Sequence, residues 1–181
     1  MFNVQDSGAD NAGYYKYDNN KNGVIKMKVV FSNEDNYYDG DIVNQMMHGQ
    51  GTYKYKNGDK YIGEWKADQK HGKGKFFYHD GYFYDGEWYN NKKNGRGSYY
   101  YIKGERYVGS WVSNMKWGRG TLFYADFSEF EGNFTQGEKH GPGTFTDAFG
   151  NVTKEERRNG QCLSRKPMEK KSHIEFGRKN S

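Results

Sequence analysis

Apolar and polar side chains alternate along most of the chain, and the alternation recurs with a spacing of 23 residues. In one such stretch Tyr61, Gly63 and Trp65 would lie on one face of a strand, and Phe76 and Tyr78 on one face of the strand that follows. A period of two is typical of β-strands, and no stretch shows the period of an amphipathic helix. Polar segments that contain glycine, such as "NGD" and "HDG", separate the strands and are typical of hairpin turns. The pattern therefore predicts consecutive antiparallel hairpins.

Five units of this kind follow one another without gaps over residues 38–152. In repeat proteins a single unit cannot bury its own apolar face, and stacking of neighbouring units supplies the core. We therefore predict an all-β, solenoid-like fold. It would be an elongated, twisted, single-layer antiparallel meander of β-hairpins, with about twelve strands and a length of roughly 55 Å at ~4.8 Å per strand. The units begin at Tyr38, Tyr61, Tyr84, Tyr107 and Phe130.

The segments on either side of the five units are less regular. Residues 15–37 contain a strand-like run without the glycines, and we interpret them as a degenerate opening repeat. Residues 153–160 resemble the first strand of a unit and are interpreted as a partial capping repeat. Residues 1–14 and the basic segment 161–181 show no clear pattern, and we expect both to be flexible.

Glycine recurs at three positions of every unit. The first position lies between two aromatic residues, where any side chain would obstruct a neighbouring ring. The other two positions form a Gly-x-Gly pair, which we expect to adopt backbone dihedral angles that other residues avoid. These structural glycines are Gly40, Gly63, Gly86, Gly109 and Gly132 at the first position, and Gly49, Gly51, Gly72, Gly74, Gly95, Gly97, Gly118, Gly120, Gly141 and Gly143 in the pairs.

The apolar content of the chain is mainly aromatic, with 17 Tyr, 12 Phe and 4 Trp in a total hydrophobic fraction of only 33%. A single-layer sheet cannot bury both of its faces. The rings must therefore meet twisted neighbouring units, a partner segment or a second copy, as in a homodimer. Some of them would form the core, and because Tyr and Trp are favoured at protein interfaces, we expect others to contact a partner. The candidate partner-binding residues are Tyr61, Trp65, Phe76, Tyr78, Tyr84, Trp88, Tyr99, Tyr101, Tyr107, Trp111 and Tyr124.

The net charge of +5 arises at the C-terminal end. Residues 153–181 contain nine Lys or Arg and four Asp or Glu, so the rest of the chain is electrically balanced. A balanced array argues against nucleic acid as a partner and makes membrane lipid an unlikely one. The basic segment itself could be solvated, or could bind an acidic protein or lipid. No apolar run has the length of a signal core or a membrane span, and we expect a cytoplasmic protein.

Two motifs could suggest ligand chemistry. The run "KHGKGKFF", Lys70–Phe77, lacks the spacing of a Walker phosphate loop and leads into a strand, so we interpret its glycines as a turn and its rings as part of that strand. His48, His71 and His140 occupy the same position in different units, about 10 Å apart between neighbours. Metal ligands lie ~2 Å from zinc, so we expect these histidines to bond nearby backbone and not a metal.

Acidic residues and the single cysteine provide no catalytic arrangement. Asp41, Glu64 and Glu87 recur along an open sheet, where no pocket would shift their pKa values, and we expect them to pair with Lys or Arg. Cys162 is the only cysteine, which excludes an intrachain disulfide, and it has no histidine beside it. We therefore expect no enzymatic activity and no metal or other cofactor.

The succession Tyr-x-Gly-Glu-Trp, His-Gly-x-Gly, an aromatic pair and Asp-Gly resembles the MORN repeat (membrane occupation and recognition nexus) over about two thirds of the chain. The runs "HGQGTYKYKNGDKYIGEWKADQKHGKG", "YYYIKGERYVGSW" and "HGPGTFTDAFG" are similar to members of that family in the radial spoke head of motile cilia and flagella. The resemblance implies a non-catalytic scaffold in the cytoskeleton of the axoneme, with other radial spoke head proteins as partners. The family also implies an alternative, a membrane-associated adaptor that binds acidic phospholipids.

Two units depart from the repeat pattern. In the fourth, Trp117 occupies the histidine position and Phe127 the position of the turn glycine. In the fifth, Asp147 replaces an aromatic residue and Phe149 a turn Asn or Asp. We expect the array to bend or to meet a partner there.

Overall fold

The computed structural model describes residues 13–19, 25–31 and 36–168, and all strands in these ranges belong to one antiparallel sheet. Each strand is hydrogen-bonded to the strands that precede and follow it in sequence, which makes the sheet an uninterrupted meander. The described residues form no helix, and so none that could cross a membrane. The strands are β1 (Gly13–Asn19), β2 (Ile25–Phe31), β3 (Asn36–Val43), β4 (Met46–Lys54), β5 (Lys60–Lys66), β6 (Gln69–Phe77), β7 (Phe83–Tyr89), β8 (Lys92–Tyr100), β9 (Arg106–Val112), β10 (Met115–Phe123), β11 (Glu129–Thr135), β12 (Glu138–Thr146), β13 (Val152–Arg158) and β14 (Gln161–Pro167).

The all-β meander predicted from the sequence is confirmed, and the described residues alone form fourteen strands in place of about twelve. The five units form the hairpins β3–β4, β5–β6, β7–β8, β9–β10 and β11–β12, and one further hairpin flanks them at each end. The first of these, β1–β2, begins at Gly13, within the segment 1–14 that was expected to be flexible. Residues 1–12 and 169–181 lie outside the described residues.

Strand β14 corrects the expectation of a flexible tail from residue 161. It pairs with β13, with Glu156 opposite Ser164 and Lys154 opposite Lys166. The turn between the two strands consists of Asn159 and Gly160, both with positive φ. Such a two-residue turn is the connection that best matches the twist of paired strands. The segment 153–160 is therefore the first half of a complete hairpin and not a single capping strand.

Two kinds of turn alternate along the chain. Between units, the peptide nitrogen of Tyr55 donates to the Asp59 carbonyl at 2.9 Å, and Gly58 adopts a φ of 90°. Within units the chain reverses through two residues with positive φ, such as Ala67 (47°) and Asp68 (62°). Gly72 and Gly74 were predicted to turn the chain, but the structure places both in β6 because Ala67 and Asp68 already reverse it. The rings of the same run lie in a strand, as predicted.

Glycines form a continuous row across the ten strands β3–β12, perpendicular to the strand direction. Gly63 of β5 lies opposite Gly51 on one side and Gly74 on the other. The row consists of Gly40, Gly51, Gly63, Gly74, Gly86, Gly97, Gly109, Gly120, Gly132 and Gly143. We call it the glycine row. It contains the second glycine of each Gly-x-Gly pair but not the first.

The first and second glycines of a pair are required for different reasons. Gly72 has a φ of 57°, which L-residues rarely adopt, and it lies where β6 bulges opposite β5. Gly74 does not have a positive φ. Instead a Cβ atom there would lie 2.5 Å from Cζ of Tyr61. The second glycines were expected to adopt unusual dihedral angles, but Gly74 instead leaves room for the Tyr61 ring of its own hairpin. Gly63 was expected to leave room for a ring of a neighbouring unit, yet a Cβ atom there would lie 2.8 Å from the hydroxyl oxygen of the same Tyr61.

The substitution Gly74→Ala tests the close approach of ring and backbone. We expect it to lower the free energy of unfolding by about 2–3 kcal/mol, because the added methyl group forces the Tyr61 ring off the sheet. Urea denaturation monitored by tryptophan fluorescence measures the change. Lys73→Ala is the matched control, since its exposed side chain lies on the other face, and it should change stability by less than ~0.5 kcal/mol. Equal stabilities of the two variants would contradict the assignment.

Candidate functional site

The side of the sheet that carries the first aromatic residue of each unit is called the aromatic face. Its rings pack edge to face in a continuous series that crosses from one unit to the next. The Tyr61 ring lies 5.0 Å from Trp65 in its own strand and 5.4 Å from Trp88 in the following unit, nearly perpendicular to both. Edge-to-face pairs are the favoured geometry of aromatic rings. The series runs through Tyr38, Trp65, Tyr61, Trp88, Tyr84, Trp111, Tyr107, Phe134 and Phe130.

Polar atoms of these rings bond the backbone beneath them. The hydroxyl group of Tyr61 donates to the Glu64 carbonyl oxygen at 2.9 Å. The indole nitrogen of Trp88 donates to the Gly74 carbonyl oxygen of the preceding unit at 3.0 Å. Burial, followed by the Glu64 carboxylate, raises the pKa of Tyr61 well above its ordinary value, so the hydroxyl stays a donor at neutral pH. Each ring therefore both covers its own hairpin and ties it to a neighbour.

Seven of the candidate partner-binding aromatics are enclosed by the chain itself, with at most 7% of each side chain exposed. They are core residues and not a free surface, so the structure decides for them between the two roles that the sequence left open. They are Tyr61, Trp65, Phe76, Tyr84, Trp88, Tyr107 and Trp111. The other four, Tyr78, Tyr99, Tyr101 and Tyr124, are half-buried and remain accessible on the aromatic face.

A column of lysines lies among the rings, and the sequence analysis did not identify it. Lys70 Nζ lies 4.5 Å from the centre of the Phe76 ring and 5.1 Å from that of Trp88. Lys93 Nζ lies 4.7 Å from Tyr99. We define the lysine column as the four equivalent residues Lys70, Lys93, Lys116 and Lys139. Their recurrence two residues before the first glycine of each pair was the available signal.

The next unit fixes the backbone of each lysine. The Lys70 carbonyl accepts a bond from the peptide nitrogen of Asn91 at 3.0 Å, and the Lys70 peptide nitrogen donates to Asn91 Oδ1 at 2.9 Å. Lys93 makes the same two bonds to Asn114. Asn91 and Asn114 belong to the two-residue turns within units, so a turn in one unit positions the lysine of the unit before it.

Burial lowers the pKa of three lysines of the column. The pKa of Lys93 falls to about 8 through burial, assisted by the charges of Lys116 and Lys70. Burial also lowers the pKa of Lys70 to about 8, against a smaller opposite effect of Asp59. Lys139 reaches about 8 through burial and the nearby Arg157. The aromatic face thus holds amines whose charge is only partly solvated.

The acidic residues have a different role from the pairing with Lys or Arg that we expected. The Glu64 carboxylate accepts the peptide N–H of Lys73 at 2.9 Å, at the bulge of β6. Glu87 does the same for Arg96, and Asp41 for Gln50. These carboxylates stabilise the bulged backbone, because a bulge leaves peptide groups without a partner in the ladder.

The histidines also differ from the expectation of bonds to nearby backbone. His71 and His140 lie in strands, and their buried Nδ1 atoms have no hydrogen-bond partner among the described residues. The His71 ring packs against Tyr89 at 5.2 Å. Within the described ranges no three His, Cys, Asp or Glu side chains come together as metal ligands. Cys162 is an exposed free thiol at the position equivalent to the lysine column.

Two of the residues that depart from the repeat pattern, Phe127 and Phe149, lie at turns between units, whereas Trp117 lies in β10. Phe127 has a φ of 66°. The side chains of Phe127 and Phe149 are 91% and 90% exposed. Phe127 thus occupies a strained conformation without compensating burial in this chain.

These features define a class of protein: a repeat sheet that buries aromatic rings and presents a line of polar groups. The chain belongs to the MORN repeat family, whose model matches residues 38–60, 61–81, 84–106, 107–129 and 130–152, more than half of its length. The members of this family are generally non-enzymatic, and their repeats serve in protein interaction or as membrane adaptors. No curated protein matches the chain.

The lowered lysine pKa values predict how stability depends on pH. Between pH 8 and about 10 the unfolded chain keeps the Lys93 proton that the folded chain releases. Because the unfolded state then binds more protons, stability rises with pH. Below pH 8 both states are protonated and this rise is absent. Lys93→Met should reduce the rise, measured as urea midpoints at pH 7 and 9.5.

Lys92→Met, an exposed neighbour in β8, is the control and should keep the full rise. Measurements stop below pH 10. Above that pH the tyrosines of the unfolded chain ionise, whereas burial raises the pKa of Tyr55 in the folded chain to about 12, and this difference would add a second pH dependence. An unchanged pH dependence in Lys93→Met would show that Lys93 is not desolvated.

Proposed function

We propose that this protein is a non-catalytic docking scaffold that holds partner proteins against its aromatic face. The observation that carries the proposal is the lysine column, which lies beside half-buried tyrosines along one face of a continuous sheet. Tyr side chains with an accessible edge and a fixed backbone provide contact area at small entropic cost. The linear arrangement suits an extended partner segment better than a compact small molecule.

We further propose that the scaffold acts in the radial spoke head, in the axoneme of motile cilia or flagella. The support is the similarity of its unit sequences to radial spoke head protein 1, in runs such as "KYIGEWKADQKHGKG". Other radial spoke head subunits, or a second copy of the chain, are the partners of this proposal. A stiff sheet of about 60 Å, from fourteen strands at ~4.8 Å, would act as a spacer between them.

Binding to acidic phospholipid is the alternative, and the charges of the opposite face do not favour it. Lys75 pairs with Asp85 at 2.8 Å and Arg119 with Glu131 at 2.7 Å. A face of alternating, paired charges attracts an anionic membrane less than a cluster of free basic residues does.

Replacement of the chain in a ciliated cell tests the proposal. We expect the double substitution Tyr78→Ala and Tyr101→Ala to reduce its recovery in purified axonemes and its cross-links to spoke-head subunits at least fivefold, because both half-buried rings lie on the aromatic face. The control is Tyr89→Ala, an exposed ring on the other face, which should behave as the unsubstituted chain. Circular dichroism of each purified variant verifies that the sheet is intact.

Two outcomes would overturn this assignment. If the unsubstituted chain is absent from axonemes, the radial spoke proposal is wrong. If it floats with vesicles containing acidic phospholipid at physiological salt and the tyrosine variants do not, the aromatic face binds membrane and not protein.

A further inference from the structure

The lysine column carries positive charge that nothing in the described part of the chain neutralises. None of its four members forms an ion pair with a carboxylate there. The acids whose charge acts on Lys70 and Lys139 are engaged elsewhere: Asp59 accepts bonds from His79 and Asn57, and Glu155 from two arginines. Buried polar and charged groups are normally paired. An unneutralised line of half-buried amines therefore indicates an anionic ligand.

Individual amines retain free donors. Lys70 Nζ donates to the Tyr55 hydroxyl at 3.4 Å, and Lys139 Nζ bonds the Tyr124 hydroxyl. Lys93 and Lys116 contact rings only, so among the described residues their ammonium groups have no hydrogen-bond acceptor. An ammonium group has three donors, and the two central lysines are consequently the ones that an incoming carboxylate would engage most strongly.

The spacing of the column limits the ligand's shape. Successive lysines are separated by two strands, which is about 10 Å along the sheet. A polyproline II helix rises ~3.1 Å per residue with three residues per turn, so every third side chain returns to the same side after ~9.3 Å. In a β-strand about 10 Å also corresponds to three residues, but side chains three residues apart point to opposite sides, because the period of a strand is two. A polyproline II chain therefore matches the column.

The tyrosines beside the lysines suit the same conformation. Tyr55, Tyr78 and Tyr101 recur at the unit spacing and are half-buried. The Tyr78 ring packs at a tilt against Tyr82 and the Tyr99 ring against Tyr101, with ring centres 4.7 Å apart in both pairs, and together they form a ridge of rings next to Lys93. Proline-rich segments dock on aromatic surfaces of this kind without losing much conformational entropy. Rings and amines together provide sites for the proline and acidic positions of one ligand.

We propose that the lysine column and the adjacent tyrosines bind an acidic polyproline II segment of a partner protein that carries a carboxylate at every third residue. The inference rests on the proposed docking function and specifies the partner's chemistry. Each carboxylate pairs with one lysine, and the intervening prolines lie on the tyrosine ridge. Lys93 and Lys116 are the central binding residues, and Lys70 and Lys139 extend the site.

Fluorescence anisotropy with the full chain and labelled peptides tests the proposal. The probe is a peptide of Glu-Pro-Pro triplets, one for each lysine, and the comparison peptide has the same composition with its glutamates adjacent. We expect the spaced peptide to bind at least fivefold more tightly. Lys93→Met with Lys116→Met should weaken its binding about tenfold or more, since charge-assisted hydrogen bonds are lost. Met preserves the apolar stem, so the fold should persist.

The control variant is Lys92→Met with Lys103→Met, two exposed lysines outside the column, which should bind the spaced peptide normally. Equal affinity for the two peptides, or undiminished binding by Lys93→Met with Lys116→Met, would overturn the proposal. Preferential binding of the column to heparin or to vesicles containing phosphatidylinositol bisphosphate would do so as well. The proposed docking function has its own test, which is the recovery of the tyrosine variants in axonemes. If the peptides do not bind but those variants are lost from axonemes, the docking function is supported and the peptide proposal is wrong. If the spaced peptide binds but the chain is absent from axonemes, the peptide proposal is supported and the axonemal role is wrong.

Discussion

The contact of an aromatic ring with two facing glycines is the constraint on which the sheet depends. In each unit the ring lies flat on the glycine row, and it can do so only because neither glycine carries a side chain. A single layer of strands has no second layer to exclude water. Here the rings themselves form that layer, and edge-to-face packing joins them across units. This explains how Tyr38, Tyr61 and Tyr84 become fully buried in a protein one sheet thick.

The lysine column follows from this arrangement. Once the rings cover the glycine row, the residue opposite each tryptophan is surrounded by aromatic rings on several sides. A long amphipathic side chain fills that position, because its methylene stem packs on the rings and its ammonium group interacts with their electrons. Trp65 lies opposite Lys70 and Trp88 opposite Lys93, whereas the first unit has Ile42 opposite Met47. Charge is therefore confined to the units in which an aromatic ring is present to accept it.

The sequence was sufficient to predict the five central units and the antiparallel order, because period-two alternation and the 23-residue spacing are local properties. It was not sufficient for features that depend on contacts between units. Ala67 and Asp68 form a tight turn although neither is glycine, so the turn was misplaced to the following glycines. The partners of Glu64 and the surroundings of Lys70 appear only when strands bulge and neighbouring rings converge. Burial was misjudged for the same reason, since Trp88 is covered by a unit that precedes it.

The last hairpin of the described residues, β13–β14, interrupts the glycine row. In β13 the position opposite Gly143 is Glu155, whose residue is 3% exposed. Its carboxylate oxygens form ion pairs with Arg157 Nε at 2.6 Å and Arg165 Nη2 at 2.5 Å. Burial alone would raise the pKa of Glu155, but the two guanidinium groups lower it, so the carboxylate stays ionised. An aromatic ring placed over this part of the sheet would meet a buried, ionised carboxylate at the position where the ring contact requires glycine. Within the described residues, the series of rings therefore ends where a charged triad replaces a ring and a glycine.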